Sequence, residues 1–140
     1  MSTLEDIEEI KRLKAGYFRT MDTKDWAGMR EAFTDDVVID TSEAGGEVAH
    51  GADEFMVFLE EALGGAVTVH QGHMPEIDLT SETTATGVWA LNDIVIFPGG
   101  VRLDGYGHYH ETYKKIDGEW RISSSKLTRL HVDFTTIEED

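Results

Sequence analysis

Four side chains suited to proton transfer lie well apart in the chain: Tyr17, Asp22, His70 and Asp93. Histidine is the side chain whose unperturbed pKa lies closest to neutrality, and a carboxylate beside it fixes its tautomer and steadies its cationic form. His70 stands in the run Val67-Thr68-Val69-His70-Gln71-Gly72-His73, and Asp93 ends the run Trp89-Ala90-Leu91-Asn92-Asp93. Strand alternation places Trp89, Leu91 and Asp93 on one face. If that face is the core, Asp93 is a buried charge that needs a partner, and a histidine would serve. Otherwise Asp93 sits at a strand end and caps a turn with Asn92. His70 shares parity with Thr68 and Gly72, opposite Val67 and Val69, so alternation allows either face. Gly72, His73 and Pro75 suggest a bulge that could re-aim it. Tyr17 falls on an apolar helical stripe, where its hydroxyl needs a partner. Asp22 closes the same helix, against the macrodipole, and either caps the next helix or serves another purpose. His108 and His110 share a strand face and could hold a metal together with His70 or His73. No phosphate-binding glycine loop, nucleophile elbow or zinc-protease motif is present.

The elements that must carry these groups follow from patterning. Residues 3–21 read as a helix capped by Ser2 or Thr3, with Glu5 and Asp6 in its first turn. Leu4, Ile7, Ile10, Leu13, Tyr17 and Met21 recur at helical spacing and are expected inward. A short helix from Asp25, its cap, to Phe33 follows, then a β-branched strand at Val37–Thr41. Gly45-Gly46 turns the chain, and Ala52–Leu63 forms a third helix stopped by Gly64-Gly65. Strands are expected at 66–72, 76–80, 83–97, 102–116 and 119–134. Pro98-Gly99-Gly100 breaks the third from the fourth, and Asp117-Gly118 turns the last hairpin. Helices followed by long antiparallel strands indicate an α+β domain over residues 4–134, with a loose tail at 135–140. A sheet of such long strands must curve, leaving a pocket between its concave face and the helices.

Composition narrows the partners. The 140 residues are 40% hydrophobic and 29% charged, an ordinary globular balance with no membrane-length apolar run. With 28 acidic and 12 basic residues the net charge is −16, which repels nucleic acid and anionic membranes. Cysteine is absent, so disulfides, thiolate metal sites and cysteine nucleophiles are excluded. The acidic N-terminus lacks the features of a signal peptide, so a cytoplasmic protein is expected. Neutral, rather apolar small molecules are the easiest partners for such a surface.

Asp22-Thr23-Lys24-Asp25-Trp26 resembles the Asp-Ser-Lys-Asp-Trp segment of the scytalone dehydratases, and Tyr113 to Trp120 resembles their C-terminal hairpin. The spacing of Tyr17, Asp22, His70 and Asp93 is similar to the catalytic set of the bile acid 7α-dehydratases. Both belong to the SnoaL-like group of the nuclear transport factor 2-like superfamily, and the similarity spans about residues 4–132. The resemblance implies a cone-shaped fold: three N-terminal helices in a strongly curved, mainly antiparallel mixed sheet. It implies His70 as general base, Asp22 as its orienting carboxylate, Tyr17 as donor to the substrate oxygen, and Asp93 as a fourth catalytic group. Substrate contacts are expected from Thr41, His73, Trp89 and His110. Thr41 stands where both dehydratases carry a tyrosine and Met21 where the scytalone dehydratases carry another, and His73 and His110 are the expected replacements. No metal or organic cofactor is implied. The implied reaction is dehydration of a cyclic hydroxy-ketone of steroid or polyketide type. The alternatives are isomerisation, as in ketosteroid isomerase, and binding of a hydrophobic ligand without catalysis. A homotrimer or homodimer formed through the exposed sheet face is expected.

Overall fold

The computed structural model describes residues 3–137. Its elements are helix α1 (Thr3–Asp22), helix α2 (Trp26–Arg30), strand β1 (Phe33–Asp40), a 3₁₀ turn (Ser42–Ala44), strand β2 (Val48–His50) and helix α3 (Ala52–Leu63). Four long strands follow: β3 (Val67–Leu79), β4 (Thr84–Ile96), β5 (Val101–Ile116) and β6 (Glu119–Thr136). One six-stranded sheet runs in the order β2-β1-β6-β5-β4-β3; β1 and β6 pair in parallel and every other pair is antiparallel. The expected α+β architecture, helices against an open mixed sheet, is present. Among the described residues no helix is long and apolar enough to cross a membrane.

The concave face is built by parity. On β4, Ala85, Trp89, Leu91, Asp93 and Val95 are buried, and on β5 Tyr109, Glu111 and Tyr113 are. Helix α1 packs into this face with a stripe rotated from the one its apolar spacing suggests. Asp6, Ile10, Lys14, Tyr17, Phe18 and Met21 are buried, whereas Leu4 is 78% exposed. Asp6 takes the inward position because Trp120 Nε1 donates to it at 3.0 Å and Lys115 Nζ at 3.2 Å, tying the helix start to the β5–β6 hairpin. Gly72 permits the close approach of α1 to β3: a Cβ there would lie 2.7 Å from the Phe18 ring.

Several expected boundaries move, each for a tertiary reason. Helix α2 ends at Arg30, not Phe33, because Phe33 pairs with Ile122 and Ala32 accepts the Ile122 N–H at 2.8 Å, drawing the chain into β1. The two strands expected at 66–72 and 76–80 are one, β3, interrupted between His73 and Glu76. Pro75, with no N–H to give a ladder, sits in that bulge beside Met74 at φ 34°. The three-residue β2 lies inside what reads as loop. Pairing of Val101 with Thr136, and donation from Ile137 N–H to Gly100, carry β6 into the expected tail. The Asp25 cap forms as expected, accepting from Gly28 N–H at 3.0 Å. The expected Ser2 cap and the tail residues 138–140 lie outside the described residues.

Candidate active site

Between α1, α3 and the concave face lies a cavity of about 280 Å³. Phe55, Leu59 and Leu63 of α3 line one side, and Val95, Phe97 and Leu103 the other. Tyr17, His70, Asp93 and Arg129 are among the groups on this apolar space that can exchange protons or hydrogen bonds.

His70 is held from both ends. Its backbone N–H donates to Asp22 Oδ2 at 2.8 Å and its Nδ1 meets Asp22 Oδ1 at 2.7 Å. A carboxylate only accepts, so the neutral imidazole carries its proton on Nδ1 and leaves Nε2 as a lone pair. The imidazole is 6% exposed and stacks on Phe18, ring centroids 6.2 Å apart and planes at 13°. Asp22 therefore does not cap α2; Asp25 does, and Asp22 reaches across from the end of α1 to β3. Thr68 Oγ1 donates to Asp22 Oδ1 at 2.9 Å while accepting from Lys24 Nζ at 2.7 Å. His70 faces inward along the regular part of β3. The bulge begins after His73 and does not re-aim it.

Asp93 is central in β4, 3% exposed, and its Oδ2 lies 3.9 Å from His70 Nε2. It is not a turn cap. Its charge is compensated by Arg129, which the sequence reading missed: Nη1 donates to Oδ1 at 2.6 Å and Nη2 to Oδ2 at 3.0 Å. This bidentate fork is the strong form of an ion pair. Gly105 makes room for it, since a Cβ there would collide with both Asp93 Oδ1 and Arg129 Nη1.

Tyr17 is buried, and its ring packs edge-on against Tyr109 and Phe33. Burial pushes its hydroxyl well above the ordinary tyrosine value. The Glu111 carboxylate adds to that rise, as do Asp22 and Asp93 more weakly, and Tyr109 offsets part of it. Tyr17 is thus a neutral donor at physiological pH. Below the cavity lies a second feature absent from the sequence reading. Lys14 Nζ, fully buried, meets Glu111 Oε2 at 2.8 Å and lies 3.8 and 3.7 Å over the Tyr17 and Tyr109 rings. Burial lowers the Lys14 pKa, and Glu111 opposes that shift.

The expected substrate contacts fare differently. Thr41 lines the cavity, although its hydroxyl donates to Glu47 O at 2.9 Å. Trp89 is buried in the core beside it, donating from Nε1 to the Tyr113 hydroxyl at 2.9 Å, and does not line the cavity. His73 and His110 are corrections: both are exposed, on strand positions opposite in parity to His70 and Tyr109. His110 Nε2 instead pairs with Thr128 Oγ1 at 3.1 Å. The histidines thus do not converge, and among the described residues no group of three His, Cys, Asp or Glu side chains could hold a metal ion.

The chain is similar to known proteins over most of its length. Probable cyclase FGR4 of Gibberella zeae is 25% identical over 134 residues, covering 87% of this chain and 89% of its own. A provisionally assigned scytalone dehydratase of Novosphingobium aromaticivorans superposes with a TM-score of 0.86 at 23% identity, covering 96% of this chain and 91% of its own. The hexachlorocyclohexane dehydrochlorinase LinA-type3 of Novosphingobium barchaimii does so with a TM-score of 0.82 at 15% identity, covering 96% and 91%. At these identities the two structural likenesses speak for the fold. The sequence of residues 2–126 matches the SnoaL-like domain family. The chain belongs to the SnoaL-like domain family.

Proposed function

We propose that this protein is a cofactor-independent acid–base enzyme that eliminates water from a neutral cyclic hydroxy-ketone bound in the apolar cavity. The observation that carries the reading is the orientation of His70: Asp22 binds Nδ1 at 2.7 Å and leaves Nε2 as the basic nitrogen of a largely apolar chamber. Nε2 takes a proton from the carbon next to the carbonyl, and the C–H electron pair enters the carbonyl system. Tyr17 donates a hydrogen bond to the oxygen that gains charge. The electron pair then returns to form a carbon–carbon double bond as the neighbouring hydroxyl departs, and His70 gives back its proton so that water leaves. Asp22 balances the imidazolium on one side, and the Asp93–Arg129 pair flanks it on the other.

Structural relatives named as a dehydratase and a dehydrochlorinase support elimination chemistry, and the probable cyclase supports an enzyme role. The test is mass spectrometry of wild type and His70→Ala incubated with a panel of cyclic hydroxy-ketones. A product lighter by one water, made by wild type and not by the variant, is the expected result. A product of unchanged mass makes the enzyme an isomerase. Ligand retained equally by both proteins, with nothing converted, makes it a binding protein.

A further inference from the structure

The inward residues of β6 along the cavity are Ser125, Leu127 and Arg129. Arg129 is committed to Asp93 beside His70. Ser125 stands four residues away, about 13 Å along the strand, and is likewise committed as a donor to a buried carboxylate.

The Ser125 hydroxyl donates to Glu111 Oε2 at 2.8 Å. The same oxygen accepts from Lys14 Nζ at 2.8 Å, and the other carboxylate oxygen accepts from the Tyr113 hydroxyl at 2.8 Å. Tyr113 in turn accepts from Trp89 Nε1, so its own proton can point only to Glu111. Lys14 Nζ lies over the faces of both Tyr17 and Tyr109, the placement that suits a cation. With a cation and two hydroxyl donors around it, Glu111 is a carboxylate and can only accept. A serine hydroxyl has one proton. With that proton given to Glu111, what Ser125 presents to the cavity is lone pairs, made more electron-rich by the charged acceptor behind them.

We propose that Ser125 is an acceptor subsite, and that the cavity selects ring ketones carrying a second hydroxyl, as a hydrogen-bond donor, at the end remote from His70. The buried Lys14–Glu111 pair fixes the direction of that hydrogen bond. A pair of this kind is weak evidence for stability; aiming a hydroxyl into the cavity gives it a functional role. The assignment rests on the cavity being the substrate site proposed above.

Three bicyclic probes separate donor, acceptor and size: tetralone, its phenol hydroxytetralone, and the methyl ether methoxytetralone, the last two substituted on the ring distal to the ketone. Their dissociation constants would be measured calorimetrically for wild type, Ser125→Ala and Ser125→Thr. Wild type is expected to bind hydroxytetralone about tenfold more tightly than tetralone, the worth of one good neutral hydrogen bond, with no gain for the ether. Ser125→Ala is expected to bind tetralone as wild type does and to lose the preference, whereas Ser125→Thr keeps it. A preference that survives in Ser125→Ala, or an ether that binds as tightly as the phenol, overturns the subsite and leaves the pocket reading standing. If none of the three binds to wild type, the pocket reading falls and the subsite with it.

Discussion

Replacing Asp22 with asparagine exchanges one carboxylate oxygen for an NH2 group and should move a proton on a neighbouring residue. The backbone N–H of His70, 2.8 Å from Asp22 Oδ2, can only donate, so the asparagine carbonyl must take that side. The amide nitrogen then replaces Oδ1, 2.7 Å from His70 Nδ1. Thr68 Oγ1, 2.9 Å away on the same side, can turn its lone pair to meet the new donor. Facing an N–H, Nδ1 must become the acceptor, and the imidazole proton moves to Nε2, where the base is needed. A hydrogen bond to a charged partner is worth roughly 1.5–3 kcal/mol. Losing it for the right tautomer and gaining a neutral bond of about 0.5–1.5 kcal/mol for the wrong one is a swing of about 2–4.5 kcal/mol. At about 1.4 kcal/mol per decade, the base-competent form falls by about 30- to 1,500-fold, comparable to a general-base contribution. Long-range ¹H–¹⁵N spectra of the His70 ring read the tautomer directly and need no substrate. Wild type should show a protonated Nδ1, and Asp22→Asn a protonated Nε2. An Asp22→Asn protein that keeps the wild-type tautomer would refute the reasoning.

Arg129→Met strips the Asp93 carboxylate of its partner in a nearly closed site. It should lower unfolding free energy by about 3–5 kcal/mol in urea titrations, and Asp93→Leu added to it should restore most of the loss. At the other end of the chain, Trp120 foremost, with Lys115, holds the Asp6 pKa below its ordinary value. Above about 3.9 the unfolded chain is ionised there too and this stabilisation is fully present. As pH falls toward the folded-state value the unfolded state binds the extra proton and the stabilisation is lost. Thermal melts between pH 5 and pH 2 should therefore fall less steeply for Asp6→Asn than for wild type; equal slopes would refute the assignment. Val69, Tyr106, Leu130 and Phe134 are 42–75% exposed. Sedimentation equilibrium at micromolar concentration should show a trimer or dimer, and a monomer would defeat that expectation.

The sequence carried the local part of this structure. Helical spacing, the Asp25 cap and the Asp117-Gly118 turn are all decided by neighbours within a few residues. Alternation on β4 put Asp93 on the face of Trp89 and Leu91, but did not decide between a core position and a turn cap. The partners of the buried charges were not legible, because Arg129 joins Asp93 across 36 residues and Glu111 joins Lys14 across 97. Their traces were present all the same. Lys14 interrupts the buried stripe of α1 one turn before Tyr17 and Phe18, and Glu111 stands between Tyr109 and Tyr113 on the inward face of β5. A charge among buried aromatics asks for a counter-charge. Gly105 and Gly107, on that same inward face, are the vacant places over which Asp93 and Arg129 meet and the backbone of β6 draws close. The parity that sends His70 inward also sends His73 outward, and the bulge at Met74 and Pro75 comes too late to change either. Position 33 shows the reverse failure: helical spacing of Trp26, Met29 and Phe33 was real, but sheet pairing with Ile122 outweighed it.

The central claim is that His70 removes a proton from the carbon beside a ketone. Hydrogen–deuterium exchange tests it without the natural substrate. Tetralone in deuterated buffer, followed by proton NMR, should lose its signals next to the carbonyl faster with wild type than with buffer alone, and at the buffer rate with His70→Gln. Exchange that is accelerated equally by both proteins, or by neither while tetralone is bound, would contradict the account.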